Sequence, residues 1–168
     1  EDAEKLGYTK TDSREDLSGN AVAEKLVILA REIEHKVELK EVKIMSLLVP
    51  PLNENHTKSA YKNNKNLLDK PYRIAKLTQN ENNVLRYVGE FDIETEKIEV
   101  KLISVPVNSA LGQLQDAENL IEIYTKTNSK NPIIIQGTGS GKEVAARAIL
   151  KDILKISNHI KQKETIWL

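Results

Sequence analysis

The chain has 168 residues with 25 basic and 25 acidic side chains, so one core is the default expectation, and a formal charge of zero gives no electrostatic case for nucleic acid or an acidic membrane. The absence of cysteine excludes a disulfide framework, a thiolate metal site and a cysteine nucleophile, and His35, His56 and His159 lack ligand spacing, so no metal is predicted. The longest apolar run, Ile44 to Leu52, is too short to span a bilayer and no signal-peptide core occurs, so a soluble cytoplasmic protein is expected.

The opening residues Glu1-Asp2-Ala3-Glu4-Lys5 lack an initiating methionine and read as the end of a helix already under way, which predicts a fragment of a longer polypeptide. Asp12 with Glu15 three residues on fits a capping box for one short helical turn, and Ser18 is the predicted N-cap of the next helix. Val22, Leu26, Leu29, Ala30 and Ile33 then mark one helical face. A polar stretch from Gly7 to Gly19 thus stands directly ahead of an apolar-faced helix with Lys25 near its start, as when an active-site loop is mounted on a rigid element. Taken singly, Lys25 reads as a solvated lysine, Asp16 as a loop aspartate and Tyr8 as a half-buried ring.

Glu38 to Val49 mixes alternation with an apolar run and predicts a strand ended by Pro50-Pro51; Asn53 to Asn66 is polar and predicts a loop. Leu67 to Leu77 suits a helix if Pro71 falls in its first turn. Leu85 to Phe91 and Ile98 to Leu102 alternate with period two around a charged turn, which predicts an antiparallel hairpin. A further strand is expected near Leu120 to Thr125, a buried strand at Pro132 to Ile135, and a helix from Glu143 to Ile156 closing the ordered part. The predicted class is α+β, a mostly antiparallel sheet with helices on one face.

The turn Gly137-Thr138-Gly139-Ser140-Gly141-Lys142 follows a strand and invites comparison with a P-loop, but that pattern needs glycine where Gln136 stands and Ser or Thr where Glu143 stands. It is not the dinucleotide fingerprint either, because the third glycine comes one residue early. Read by itself, the stretch is a tight strand-to-helix turn that needs glycine dihedrals.

The residues from Gly7 to Lys25 resemble the substrate segment of homoserine dehydrogenases, approximately G-Y-T-E-P-D-P-R-D-D-L-S-G-x-D-V-A-R-K. Gly7, Tyr8, Thr9, Asp12, Arg14, Asp16, Leu17, Ser18, Gly19, Val22, Ala23 and Lys25 stand at the matching places. Leu85 to Asp92 resembles L-R-Y-V-G-x-I-D, Asn119 and Tyr124-Thr125 recur, and Asn131 to Val144 resembles N-P-L-V-I-Q-G-x-G-A-G-x-E-V. The resemblance covers Leu6 to Ile156 and is weakest from Pro51 to Asn83.

The resemblance implies interconversion of aspartate 4-semialdehyde and homoserine with NADP or NAD, in threonine and methionine biosynthesis. It assigns the proton role to Lys25, substrate contacts to Tyr8, Lys10, Asp16 and Ala21, and the cofactor approach to Gly141. It also implies a homodimer acting on a small amino-acid substrate, a catalytic and dimerisation region over 1–157 and a tail over 158–168. The nucleotide-binding half would lie upstream, and the closing helix would return to that Rossmann-type domain. This ending is similar to the C-terminal part of bifunctional aspartokinase–homoserine dehydrogenases or a short monofunctional form, with too few residues after Ile156 for a regulatory domain.

Four departures stand out: Lys10 replaces a glutamate, Thr11 and Ser13 replace prolines, and Ala21 replaces an aspartate. Ala21 lies four residues before Lys25, so the family's aspartate would face the lysine and help keep it charged. These changes predict a retained fold with impaired activity; the alternative is a non-catalytic dimerisation or interaction module derived from such an enzyme.

Overall fold

The computed structural model describes residues 2–9, 12–52, 57–139 and 141–165. In place of one core, the chain divides into two compact units, Glu1–Gln113 and Leu114–Leu168.

The first unit begins with helix α1 (Asp2–Lys5), closed by Gly7 at φ +71° with Tyr8 N–H donating to Ala3 C=O and Gly7 N–H to Glu4 C=O. That pair of bonds is the Schellman closure, which needs a left-handed residue where glycine stands. Helix α2 (Ser13–Ser18) is capped by Asp12, whose carboxylate accepts from Arg14 N–H at 3.1 Å. Helix α3 (Asn20–Glu32) follows after one residue, Gly19. Gly19 rather than Ser18 occupies the N-cap, because its φ of +89° turns the chain between the helices. Ser18 still contributes, since its hydroxyl accepts from Asn20 N–H at 3.2 Å.

The predicted strand from Glu38 to Val49 shrinks to β1 (Lys43–Ile44). Glu38 and Glu41 cap one another's backbone reciprocally and wind Leu39–Glu41 into a 3-10 turn, which takes those residues out of extended geometry. The predicted loop also contains a helix, α4 (Lys58–Asn63), capped by Thr57, whose hydroxyl accepts from Ala60 N–H; residues 53–56 lie outside the described residues. A 3-10 turn at Lys65–Leu68 leads into α5 (Asp69–Thr78), with Pro71 in its first turn, where no intrahelical donor is lost.

The hairpin is as predicted and longer: β2 (Asn83–Asp92) pairs antiparallel with β3 (Lys97–Pro106), and β1 joins the other edge of β3 in parallel. Its turn is held by the Asp92 carboxylate, which accepts from Glu94 and Thr95 N–H.

Helix α3 packs on the face of the hairpin that carries Tyr87, Gly89, Phe91, Ile98 and Val100. The buried cluster is Ala23, Val27, Val42, Ile98 and Val100, with Val22 and Leu26 packed against it. The apolar face is therefore rotated from the predicted one, and Leu29 and Ile33 are exposed. Gly89 gives Val22 and Leu26 room on the strand: a Cβ there would stand 2.6 Å from Leu26 Cδ1 and 3.0 Å from Val22 Cγ1, so those side chains would have to shift.

The second unit contains β4 (Glu118–Ile123), paired antiparallel with β5 (Ile133–Thr138), and helix α6 (Lys142–Thr165). Two expectations change here. Ile133 to Ile135 form a strand but are 47–54% exposed, since the two-stranded ribbon offers them no opposing layer. The helix runs nine residues past Ile156, because nothing from Ser157 to Thr165 is a proline or glycine that would stop it.

Candidate active site

Three of the predicted site residues lie in the first unit on the two helices that meet at the α2–α3 joint. Asp16 is half-buried on α2; Ala21, half-buried, and Lys25, exposed, lie four residues apart on α3. Counting around the helix, Lys25 stands opposite the stripe of Ala23, Val27 and Ala30 that meets the core. It has no hydrogen-bond or ion-pair partner among the described residues. Tyr8, 43% exposed, follows the Gly7 turn, and Lys10 lies outside the described residues.

What fixes the joint is a set of contacts that the sequence pattern did not single out. Gly19 is buried, and a Cβ there would collide with the Tyr87 hydroxyl and approach Ile44 Cγ2 to 2.7 Å. The same hydroxyl donates to Met45 C=O at 2.7 Å. Two residues on, Leu47 N–H donates to Leu17 C=O at the end of α2, and the Tyr72 hydroxyl donates to Leu47 C=O. Burial pushes the Tyr87 phenol above its ordinary range; burial, then the nearby Tyr87, does the same to Tyr72. Both phenols therefore stay protonated and able to donate. The available signal was Tyr87-Val88-Gly89 inside a family motif; nothing local marked Tyr72.

Arg14 explains another matched position. Its buried guanidinium binds both carboxylate oxygens of Asp12, with Nη2 at 2.7 Å from Oδ2, and lies 5.8 Å from the Tyr61 ring centroid. Cap and arginine thus form one unit that fixes the start of α2. On the other side, the Ser13 hydroxyl donates to Glu4, and that bond, then Lys65, holds the Glu4 carboxyl below its usual range. An open depression of about 540 Å³ lined by Glu4, Lys5, Lys62 and Lys65 lies here; neither Lys25 nor Asp16 lines it.

Gly141, in the second unit, has φ +110° and precedes α6, with nothing within 4 Å of where its Cβ would be. The space a side chain would take there is therefore open, while the Gly141 C=O accepts from Ala145 N–H at 3.2 Å. Gly139 is different, since a Cβ there would overlap the Asn119 side-chain amide, so those two matched positions are one steric pair. Among the described residues no group of three or more His, Cys, Asp or Glu could hold a metal, and no helix is long and apolar enough to cross a membrane.

The architecture is shared with solved proteins. A crystal structure from Candida auris, described as a protein of unknown function, superposes with a TM-score of 0.79 at 34% identity, over 93% of this chain and 44% of that one. The sequence narrows the class: the homoserine dehydrogenase family model matches residues 1–154, and the chain belongs to that family. The chloroplastic bifunctional aspartokinase/homoserine dehydrogenase 1 of Zea mays is 34% identical over 160 residues, 95% of this chain and 17% of that protein. The homoserine dehydrogenase of Paracoccidioides brasiliensis is 35% identical over 156 residues, 92% of this chain and 42% of its own length. The chain thus spans less than half of the relatives it resembles.

Proposed function

We propose that this chain is the substrate-binding and dimerisation part of an NAD(P)-dependent oxidoreductase that interconverts L-aspartate 4-semialdehyde and L-homoserine, with Lys25 as its proton-transfer residue. The observation that carries this reading is the mounting of Lys25: exposed and unpaired among the described residues, on a helix fixed at Gly19 and Gly89, in a chain of the homoserine dehydrogenase family. In the reducing direction the Lys25 ammonium gives a proton to the carbonyl oxygen as it becomes a hydroxyl; in the reverse direction the amine takes it back. Asp16 and Tyr8 hold the polar groups of the amino-acid substrate.

The nicotinamide cofactor supplies or accepts the hydride. Gly141 fits its approach, because the space that a side chain would take there, at the start of α6, is open. In this reading α6 belongs to a Rossmann-type nucleotide-binding half upstream, helices cover one face of the sheet, and two copies pair through the sheet surface left over. The assembly works in the cytoplasm.

Activity is low in this reading, because Ala21 gives Lys25 no neighbouring carboxylate and Lys10 adds a positive charge where an ammonium-bearing substrate must sit. A non-catalytic module is the weaker reading, since both pivots that hold the Lys25 helix are intact. The test is to place Lys10→Glu and Ala21→Asp in the complete enzyme carrying this segment and follow NADPH oxidation with aspartate semialdehyde. Turnover should rise about 100-fold, the scale on which a positioned acid–base group acts. Equal turnover with and without the two changes would overturn the reading.

A further inference from the structure

Met45 to Leu47 form a short segment whose backbone groups are taken up on four sides. Met45 N–H donates to Val100 C=O of β3 at 2.8 Å, and Met45 C=O accepts from the Tyr87 hydroxyl at 2.7 Å. Leu47 N–H donates to Leu17 C=O at 2.9 Å, and Leu47 C=O accepts from the Tyr72 hydroxyl at 2.7 Å. The segment thus ties the end of α2 to the sheet, with one tyrosine from β2 and one from α5 holding it. Tyr87 also abuts Gly19, the single residue between the helix of Asp16 and the helix of Ala21 and Lys25.

We infer that Tyr87 and Tyr72 are positioning residues for the reaction: through the Met45–Leu47 segment and Gly19 they set the angle between α2 and α3, and so the placement of Asp16 relative to Lys25. This rests on the function proposed above. The joint at Gly19 acts as the pivot of a lever. Lys25 is six residues from Gly19, about 9 Å along a helix at 1.5 Å per residue, so a small rotation at the joint moves it appreciably. A misplacement of about 1 Å can cost about 100-fold in rate. Neither tyrosine needs to touch substrate, and a phenylalanine keeps the ring while removing only the hydroxyl.

The experiment compares wild type, Tyr87→Phe, Tyr72→Phe and the double variant in the complete enzyme. It measures kcat and KM for aspartate semialdehyde and amide hydrogen exchange over Leu17 to Lys25. Expected is a fall in kcat of about tenfold for Tyr87→Phe, with KM within a factor of about three and faster exchange over Leu17 to Lys25. The double variant should lose less than the product of the single losses, because both hydroxyls act on one segment.

Unchanged kcat, with or without faster exchange, would overturn the positioning role. A fall in kcat with unchanged exchange would overturn it too, since Tyr87 would then act by another route. If Tyr87→Phe does not fold, Tyr72→Phe carries the same comparison from the far end of the segment. Should the wild-type enzyme leave aspartate semialdehyde unreduced, the proposed function fails, and exchange over Leu17 to Lys25 alone decides whether the tyrosines hold the joint.

Discussion

Helices α3 and α6 both carry apolar residues at helical spacing, yet they end in opposite states. Helix α3 buries Ala23 and Val27 against a hairpin that the same unit supplies. Along α6, Ile149, Leu150, Ile153, Leu154, Ile156 and Ile160 are all 52–62% exposed. The sheets repeat the contrast, with Ile98 and Val100 buried in β3 and Ile133 to Ile135 exposed in β5. An amphipathic pattern states that a face will be covered, but not by what. In the first unit the partner is at hand in the sequence; the second unit presents its apolar face outward.

The contrast has measurable consequences. The largest concerns Lys25, which lies on the solvent side of the packed helix. Lys25→Ala in the complete enzyme should lower kcat by about 100- to 10,000-fold while leaving the melting temperature unchanged, since no described residue is left without a partner. A comparable loss of melting temperature would mean that the residue is structural.

Next comes a pair of glycines. Both Gly19 and Gly141 have positive φ, but only Gly19 is hemmed in, by Tyr87 and Ile44. Gly19→Ala should cost about 3 kcal/mol, from backbone strain plus a steric clash, and Gly141→Ala about 1 kcal/mol from strain alone. Urea unfolding followed by circular dichroism separates the two; equal losses would contradict the close packing at Gly19.

The two helices' faces give a smaller effect. Ala23→Ser on the packed face should destabilise by about 1 kcal/mol by placing a hydroxyl in the core, whereas Ile153→Ser on α6 should stay within about 0.5 kcal/mol in this chain. A large loss at Ile153 would show that α6 already has a partner.

The smallest effect is electrostatic. On the sheet face away from α3, hydrogen bonds from Lys101 and Lys97 hold the Glu99 carboxyl down to about 2. The folded value is depressed, so the contribution to stability is present above the ordinary carboxylate range and is lost as pH falls through that range towards 2. Glu99→Gln should flatten the pH dependence of stability below about pH 4.5 and lower stability at neutral pH, by chemical denaturation at each pH. An unchanged slope would place the acid sensitivity elsewhere.

Much was legible from local chemistry. The β2–β3 hairpin showed because alternation at period two and a charged turn are short-range signals. Asp12 as a cap and Pro71 in a first helical turn are decided within three or four residues. The family motif pointed to Asp16, Lys25 and Gly141, and the departures at Lys10 and Ala21 were visible in the same line. Less legible was Glu38 to Val49, where a reciprocal carboxylate cap turned part of an alternating run into a 3-10 turn. The rotation of α3 was hidden as well, since it shows only in the packing of Ala23 and Val27 with Ile98 and Val100, more than 50 residues away.

By itself, then, the sequence determined the family, the hairpin, the capped helices and the residues at which chemistry is expected, because each follows from neighbours along the chain or from a recurring motif. Only the tertiary structure decided that Gly19 is pinned by Tyr87, that Leu17 is tied to Leu47, and that Lys25 stands on the face away from the core. Those outcomes depend on steric contact and hydrogen bonding between residues up to about 70 positions apart, which no local pattern encodes.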